Sequence, residues 1–518
     1  MAPEGILSVT RTDAEAPVVG TAGHGSGLLV LTPLRVEAAM AGSSGARVVR
    51  TGAGPERAAA AAQRASGQEA QAVAVVGVGG ALVADLGAGD LVVGEAVDGP
   101  GGRVELGSPR LLVAALRRAG LAATAGVVRS SGSVVTGGQR EQAAATGAVV
   151  ADTESYWLAP AAAGRPFAVV RAVVDGPGRE LRRPAVVTEG IRALASLRRA
   201  MPVLSSWAEA CCPRTVLLAG PRSFCAGVDR AIEIVERVLE RFGAPVYVRR
   251  QIVHNAHVVR RLEAEGAVFV EELDEVPDGT TVVLSAHGVA PAVKEEAGRR
   301  GLRVVDATCP LVAKVHSEAR RFSKQGRQVV LIGHDGHDEV EGTLGEVPGT
   351  MLVGSVDDVD ALDVPLGAPV ALLNQTTLAP SDVAEVARAV RRRFADVVEP
   401  PVSDICFATE NRQQAIEAIA GDVDLVLVVG SANSSNSQRL VEVAERAGAQ
   451  AYLVEDPDAI ELEWLKSAEV VGLTAGASAP EQLVQEVVDA LGGLGPVDVH
   501  ERVVVDERVR FQLPSEVR

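Results

Sequence analysis

The chain is 518 residues long, room for three or four domains at ~150 residues each, so one compact core is not expected. A formal charge of -17 gives no electrostatic footing for nucleic acid or an anionic membrane surface, and 47% hydrophobic against 23% charged residues excludes wholesale disorder. The chain has four lysines, Lys294, Lys314, Lys324 and Lys466, and none lies in a GK[ST] element, which excludes a P-loop nucleotide engine.

The opening stretch, MAPEGILSVTRTD, lacks a basic region followed by an apolar segment. No apolar run approaches the ~18 residues that span a bilayer, so a cytoplasmic location is expected. Five cysteines are too few, and odd in number, for a secreted disulfide scaffold, and they suit a reducing compartment. From Gly27 to about Leu204 the chain is rich in Ala, Gly and Val. Runs such as GLLVLTPL and AVAVVGVGGAL read as buried parallel strands, and Glu56 to Arg64 and Pro109 to Ala119 as helices. This predicts a first α/β domain over 1–205. The stretch MPVLSSWAEACCPR loses the pattern, and 206–214 is expected to be a linker before a strand at Thr215 to Ala219.

The remainder repeats an architecture. Strand-like runs end at Cys225, Cys309 and Cys406, and two further strand-end motifs follow each cysteine: His254 and His287, His337 and Thr376, Asn436 and Ser478. The offsets are 29 and 62, 28 and 67, and 30 and 72 residues, a threefold pattern that predicts three α/β lobes at about 215–300, 301–400 and 401–494. Ligands of open parallel sheets bind beyond the carboxyl ends of strands, where all nine motifs fall, so the lobes are expected to face one cavity.

Without a CxxC, three converging cysteines argue against a zinc ribbon and for an iron-sulfur cluster with one iron left open. A lone cysteine is more often a small buried residue, and Cys211 and Cys212, outside the pattern, are read that way. Six of the eight histidines fall between His254 and His337. His254, His287 and His337 follow strands and suit an anion, together with Asn433, Ser434, Ser435, Asn436 and Ser478 in loops whose backbone N–H groups bind oxyanions. This describes a diphosphate pocket without lysine, although SANSSNS alone reads equally as a turn and helix N-cap. Glu339, two residues after His337, would face the same way on an extended backbone and could pass protons. His316 and His257 read as packing or surface residues, and His334 is left open. Two other readings compete: a metal-dependent hydrolase using His334, His337 and Glu339, and a phosphate-binding regulatory module with no redox centre.

The blocks GPRSFCAGVDRA, VHN, SAHGV, DATCPLVAKVH, IGHDGHDEVEGT, NQTTL, DICFATENRQ, VVGSANSSNSQRL and GLTAGASAP occur in order. From about Thr215 to Leu494 the chain closely resembles the IspH (LytB) family, the 4-hydroxy-3-methylbut-2-enyl diphosphate reductases of the non-mevalonate isoprenoid pathway. The resemblance implies a trefoil of three α/β lobes around one 4Fe-4S cluster held by Cys225, Cys309 and Cys406. It also implies an allylic diphosphate substrate held by His254, His287, His337, Ser434, Ser435, Asn436 and Ser478, with Thr376 and Glu339 serving the hydroxyl and its protonation. Asp338 stands where the family often has Pro. With no flavin or nicotinamide fingerprint visible, electrons are expected from a donor such as ferredoxin or flavodoxin. The completeness of the blocks after Thr215 predicts reductase activity without residues 1–205.

Residues 27 to about 200 resemble more weakly the purine nucleoside phosphorylase and nucleosidase superfamily, through TPLRVEA, RTGAGPERA, VVGVGGAL with GAGDLVVGE, and GAVVADTESYWLA with VVRAVVDG. The resemblance implies that Glu154 holds ribose hydroxyls and Asp175 protonates a purine. Val174 precedes Asp175 where members commonly carry serine, and a remnant fold kept for packing or another ligand fits the segment equally.

Overall fold

The first apolar run forms the strand Leu28–Thr32, buried along its length and paired parallel with Ala72–Ala81, Val30 opposite Ala74. The computed structural model describes residues 10–11, 27–42, 46–178 and 186–518. In the N-terminal unit the strands Ala72–Ala81, Ala148–Asp152, Ala123–Ser130, Leu91–Gly99 and Phe167–Asp175 pair in a closed ring. Two of those pairings are antiparallel, so the sheet is mixed where parallel strands were expected. Helices Pro55–Ser66 and Arg110–Arg118 cover it, close to the predicted positions.

The expected linker is not one. Residues 206–210 are the last turn of a 25-residue helix, Val186–Ala210, and Arg214 already begins the next strand, Arg214–Gly220. Leu204, Trp207, Ala208 and Cys211 are spaced as the core-facing stripe of a helix and are all buried, so the period runs on through Pro202 to Ala210. That stripe joins Leu28, Val30 and Leu116 to Leu427, Leu473, Leu483 and Val487 in one apolar core shared by both units. Arg110 seals the boundary with Asp458 at 2.6 Å and Glu486 at 2.7 Å, and a Cβ on Gly493 would lie 2.1 Å from the Ser108 carbonyl.

Beyond the helix lie three parallel sheets with helices between strands, an α/β trefoil as expected. Their membership differs from the predicted partition at Arg303–Asp306, Arg214–Gly220 and Val497–Val503, whereas Val397–Val398 stays in the second lobe as expected. Arg303–Asp306, which leads to Cys309, closes the sheet of Ala267–Val270, Val246–Arg249 and Thr281–Leu284. Val397–Val398, upstream of Cys406, closes the sheet of Met351–Val353, Gln328–Ile332 and Val370–Asn374. Arg214–Gly220, upstream of Cys225, sits between Val470–Ala475 and Val497–Val503 in the third sheet. Each cysteine therefore lies on the crossover from one lobe to the next, which a linear division of the chain hides.

Candidate active site

Each crossover ends by starting a helix, and the cysteine is its N-cap: Cys225 for Ala226–Phe242, Cys309 for Pro310–Lys324, Cys406 for Phe407–Ala420. Three helix N-termini thus point their partial positive charge at three sulfurs, which favours thiolate over thiol. Each cysteine N–H also donates to a neighbouring motif loop. Cys225 bonds the Ala477 carbonyl at 3.2 Å, Cys309 that of Ala286 at 2.9 Å, and Cys406 that of Thr376 at 3.0 Å. The threefold order of the sequence is thereby a threefold order of hydrogen bonds.

All three thiols are free and line one cavity, whose empty volume with its open mouth is about 820 Å³. Burial pushes the Cys309 thiol up to about 11 and the Cys406 thiol up to about 12, and the charge of Cys225 adds to both. The Thr409 hydroxyl lies 3.0 Å from the Cys406 sulfur and its N–H donates to it at 3.3 Å, and the backbone N–H groups of Leu311 and Val312 bond the Cys309 sulfur. A cationic, thiophilic centre would draw three half-buried sulfurs so arranged from thiol to thiolate. Gly227 keeps the room for it: a Cβ there would lie 2.8 Å from the Cys309 sulfur and 3.7 Å from that of Cys225. The donor set fits an iron-sulfur centre. Cys211 and Cys212 lie apart at the end of the long helix, and burial raises both thiols.

Facing the sulfurs, His254 and His287 stack with centroids 4.1 Å apart, and His337 stands edge-on at 5.7 and 6.0 Å. Among the described residues, neither ring nitrogen of His254 nor the Nδ1 of His287 has a hydrogen-bond partner, and both side-chain polar atoms of the buried Asn436 are likewise unmet. Burial lowers all three imidazoles, His337 to about 4, so they rest neutral and wait for an anion. The SANSSNS segment is the turn and helix N-cap that one reading expected, and it also faces the cavity. Ser434 caps the helix Ser435–Arg446, and its hydroxyl meets those of Ser437 at 3.0 Å and Ser478 at 3.3 Å in the cavity wall. Ser435 meets Thr377 at 3.1 Å, and Ser478 donates to the His254 carbonyl at 3.1 Å. A helix N-terminus beside hydroxyls and neutral imidazoles is an oxyanion site. Asn433 instead donates to Gln251 at 3.0 Å.

Glu339 does not lie on an extended backbone with His337, because the helix Asp338–Glu346 starts between them. His337 is its N-cap, and its Nδ1 accepts the Glu339 N–H at 3.1 Å. The Glu339 side chain turns instead to Thr376, whose N–H donates to Oε1 at 2.7 Å and whose hydroxyl bonds Oε2 at 3.0 Å. Burial outweighs those bonds and lifts the carboxyl to about 7.

The hydrolase reading loses its geometry. Among the described residues, the metal-sized grouping is His254, His287 and Asp338, whereas Glu339 is taken by Thr376 and His334 does not line the cavity. His316 is buried against Glu346 at 3.0 Å, and His257 faces Asp456 at 4.0 Å, as packing and surface residues. Phe511 and Thr377 line the cavity and were not anticipated. Thr377 adjoins a motif residue, whereas Phe511 is the one aromatic in a charged tail, a faint signal.

In the N-terminal unit, Glu154 and Asp175 do share one cavity, of about 790 Å³. Asp175 is ion-paired to the buried Arg140 at 2.8 Å, and Glu154 accepts the Gly54 N–H at 3.1 Å. Glu37, from TPLRVEA, was missed. It lies in the same wall, accepts N–H bonds from Leu34 at 2.8 Å and Val78 at 2.9 Å, and burial raises its carboxyl.

Comparison with known proteins agrees with this geometry. A 4-hydroxy-3-methylbut-2-enyl diphosphate reductase of Mycobacterium bovis is 58% identical over 309 residues, 59% of this chain and 94% of that one. The structure of the E-1-hydroxy-2-methyl-but-2-enyl-4-diphosphate reductase of Plasmodium falciparum is 38% identical with a TM-score of 0.56, over 59% of this chain and 96% of its own. A 5'-methylthioadenosine/S-adenosylhomocysteine nucleosidase of Colwellia psychrerythraea covers 35% of this chain and 97% of its own at 18% identity and a TM-score of 0.30, a level that says nothing about chemistry. The model of the LytB protein family matches residues 216–492, more than half of the chain, and the chain belongs to that family.

Proposed function

We propose that the trefoil unit reduces (E)-4-hydroxy-3-methylbut-2-enyl diphosphate to isopentenyl and dimethylallyl diphosphate with loss of water, the last step of the non-mevalonate isoprenoid pathway. The observation that carries this reading is the single cavity in which three half-buried cysteines face three neutral histidines, Asn436 and a serine-rich helix N-terminus. Cys225, Cys309 and Cys406 would hold one 4Fe-4S cluster, which when bound supplies the electrons. The chain's own residues do the rest. His254, His287, Ser434, Ser435, Asn436 and Ser478 hold the diphosphate, with His337 closing the pocket from the side. Glu339, with a carboxyl raised to about 7, remains partly protonated at neutral pH. It can hand that proton to the Thr376 hydroxyl at 3.0 Å, which then donates to the leaving hydroxyl as it becomes water. A small acidic redox protein such as ferredoxin or flavodoxin would deliver the electrons in the cytoplasm. Among the described residues no helix is long and apolar enough to cross a membrane.

The test is anaerobic purification. Brown protein with broad absorbance near ~400 nm that consumes the allylic diphosphate with a low-potential reductant is expected. Colourless protein with full activity would remove the reading. For the N-terminal unit, the cavity shared by Glu37, Glu154 and Asp175 supports a ligand site with Glu154 as a hydroxyl acceptor. Asp175, ion-paired with Arg140, lines the same cavity.

A further inference from the structure

Asp338 sits in a network of charged groups that bridges two lobes. It is the first residue of the helix Asp338–Glu346, in the second lobe. One of its carboxylate oxygens is gripped by Nη1 of Arg250 from the first lobe. The other lies 3.8 Å from Nδ1 of His287, the buried ring nitrogen that has no hydrogen-bond partner. Arg250 follows the strand Val246–Arg249, four residues before His254, and holds a left-handed φ of 56°, a conformation unusual outside glycine. It is fixed further by Glu341 at 2.8 Å and Glu272 at 3.3 Å. The carboxylate is thus carried across a lobe boundary to the back of the His254–His287 stack.

We propose that Asp338, steered by Arg250, is a positioning residue for the diphosphate: it takes the Nδ1–H of His287 and provides the countercharge with which the histidine stack accepts one proton from water as the anion binds. This rests on the reading of the cavity as a diphosphate site. Two stacked neutral imidazoles bind a polyanion weakly, whereas one imidazolium between a carboxylate behind and a diphosphate in front is neutralised on both sides. The charged and titratable groups facing His287 are Asp338, Arg250, His254 and His337; Arg250 and the two other imidazoles disfavour its protonation, whereas the Asp338 carboxylate, 3.8 Å from its Nδ1, favours a charged ring on the stacked His254. Arg250 works against a charged His287, but it is ion-paired with Asp338, Glu341 and Glu272 and so holds the Asp338 carboxylate in place.

The test uses the full-length, cluster-loaded protein with inorganic pyrophosphate as the probe, by calorimetry near pH 7.5 in two buffers of different ionisation enthalpy. Wild type should take up close to one proton on binding. Asp338→Asn should lose most of that uptake, bind pyrophosphate ~10-fold more weakly, as loss of one charge-assisted hydrogen bond implies, and raise KM far more than it lowers kcat. Asp338→Glu should restore proton uptake in part, and Arg250→Gln should fall between wild type and Asp338→Asn, with visible absorbance of the cluster unchanged throughout. Unaltered affinity and proton uptake in Asp338→Asn, or equal damage from Asp338→Glu and Asp338→Asn, would overturn the role of Asp338 alone. Wild-type protein that turns over no allylic diphosphate and binds no pyrophosphate would overturn the diphosphate reading, and this role with it.

Discussion

Thr376 holds both oxygens of the Glu339 carboxylate, by its N–H at 2.7 Å and its hydroxyl at 3.0 Å, while its own carbonyl accepts the N–H of Cys406 at 3.0 Å. One residue therefore ties the proton-bearing group to the loop of a cysteine. Glu339→Gln preserves the shape and removes the exchangeable acid. Turnover should fall ~100-fold or more while substrate still binds, as is usual for a lost general acid. Steady-state kinetics on cluster-loaded protein checks this, and near wild-type turnover would mean that the proton comes from elsewhere.

The same carboxyl sets a pH dependence. Its folded value, about 7, lies above the ordinary 4.5, so the folded protein keeps a proton that the unfolded chain has released between those two values. Stability contributed by this group is therefore full below about 4.5 and declines as pH rises toward 7. Activity should fall as pH rises through about 7, because the acid is then spent. A pH–kcat profile should show that limb in wild type and lose it in Glu339→Gln.

Cys225→Ser, Cys309→Ser and Cys406→Ser should each abolish turnover and lower bound iron and sulfide, because a hydroxyl is a poor substitute for thiolate at iron. Cys211→Ser and Cys212→Ser, outside the cavity, should change neither. Iron and sulfide analysis across the five variants separates the two groups.

Gly227→Ala should damage the metal seat without touching a ligand, since the added Cβ would lie 2.8 Å from the Cys309 sulfur. Overpacking by one methyl costs ~1–3 kcal/mol, here set against cluster insertion. Reconstituted iron per chain should drop markedly while far-UV circular dichroism stays that of wild type.

Deleting residues 1–205 should give insoluble protein, against the expectation drawn from the complete set of motifs after Thr215. The cut removes Leu197, Met201 and Leu204 from a core they share with Leu427, Leu473 and Leu483, and bares the partners left behind. Soluble, brown and active truncated protein would show that the shared core is dispensable.

The chemistry of this protein was legible in its letters, because ligand and motif residues sit at strand ends and must recur in chain order whatever the packing. Cys225, Cys309, Cys406 and the six motifs that follow them could be placed by counting alone, and so could the α/β class. Which sheet owns each cysteine-bearing strand could not, since strand pairing joins residues far apart in sequence: Thr215 lies against Val470 and Asp498. Nor could the fate of 206–214, where a helical period was present but a proline and two cysteines obscured it. The tie of Glu339 to Thr376 within the second lobe and the reach of Arg250 to Asp338 across a lobe boundary are products of the tertiary fold, because hydrogen bonds and ion pairs between distant segments leave no local pattern in the chain that forms them.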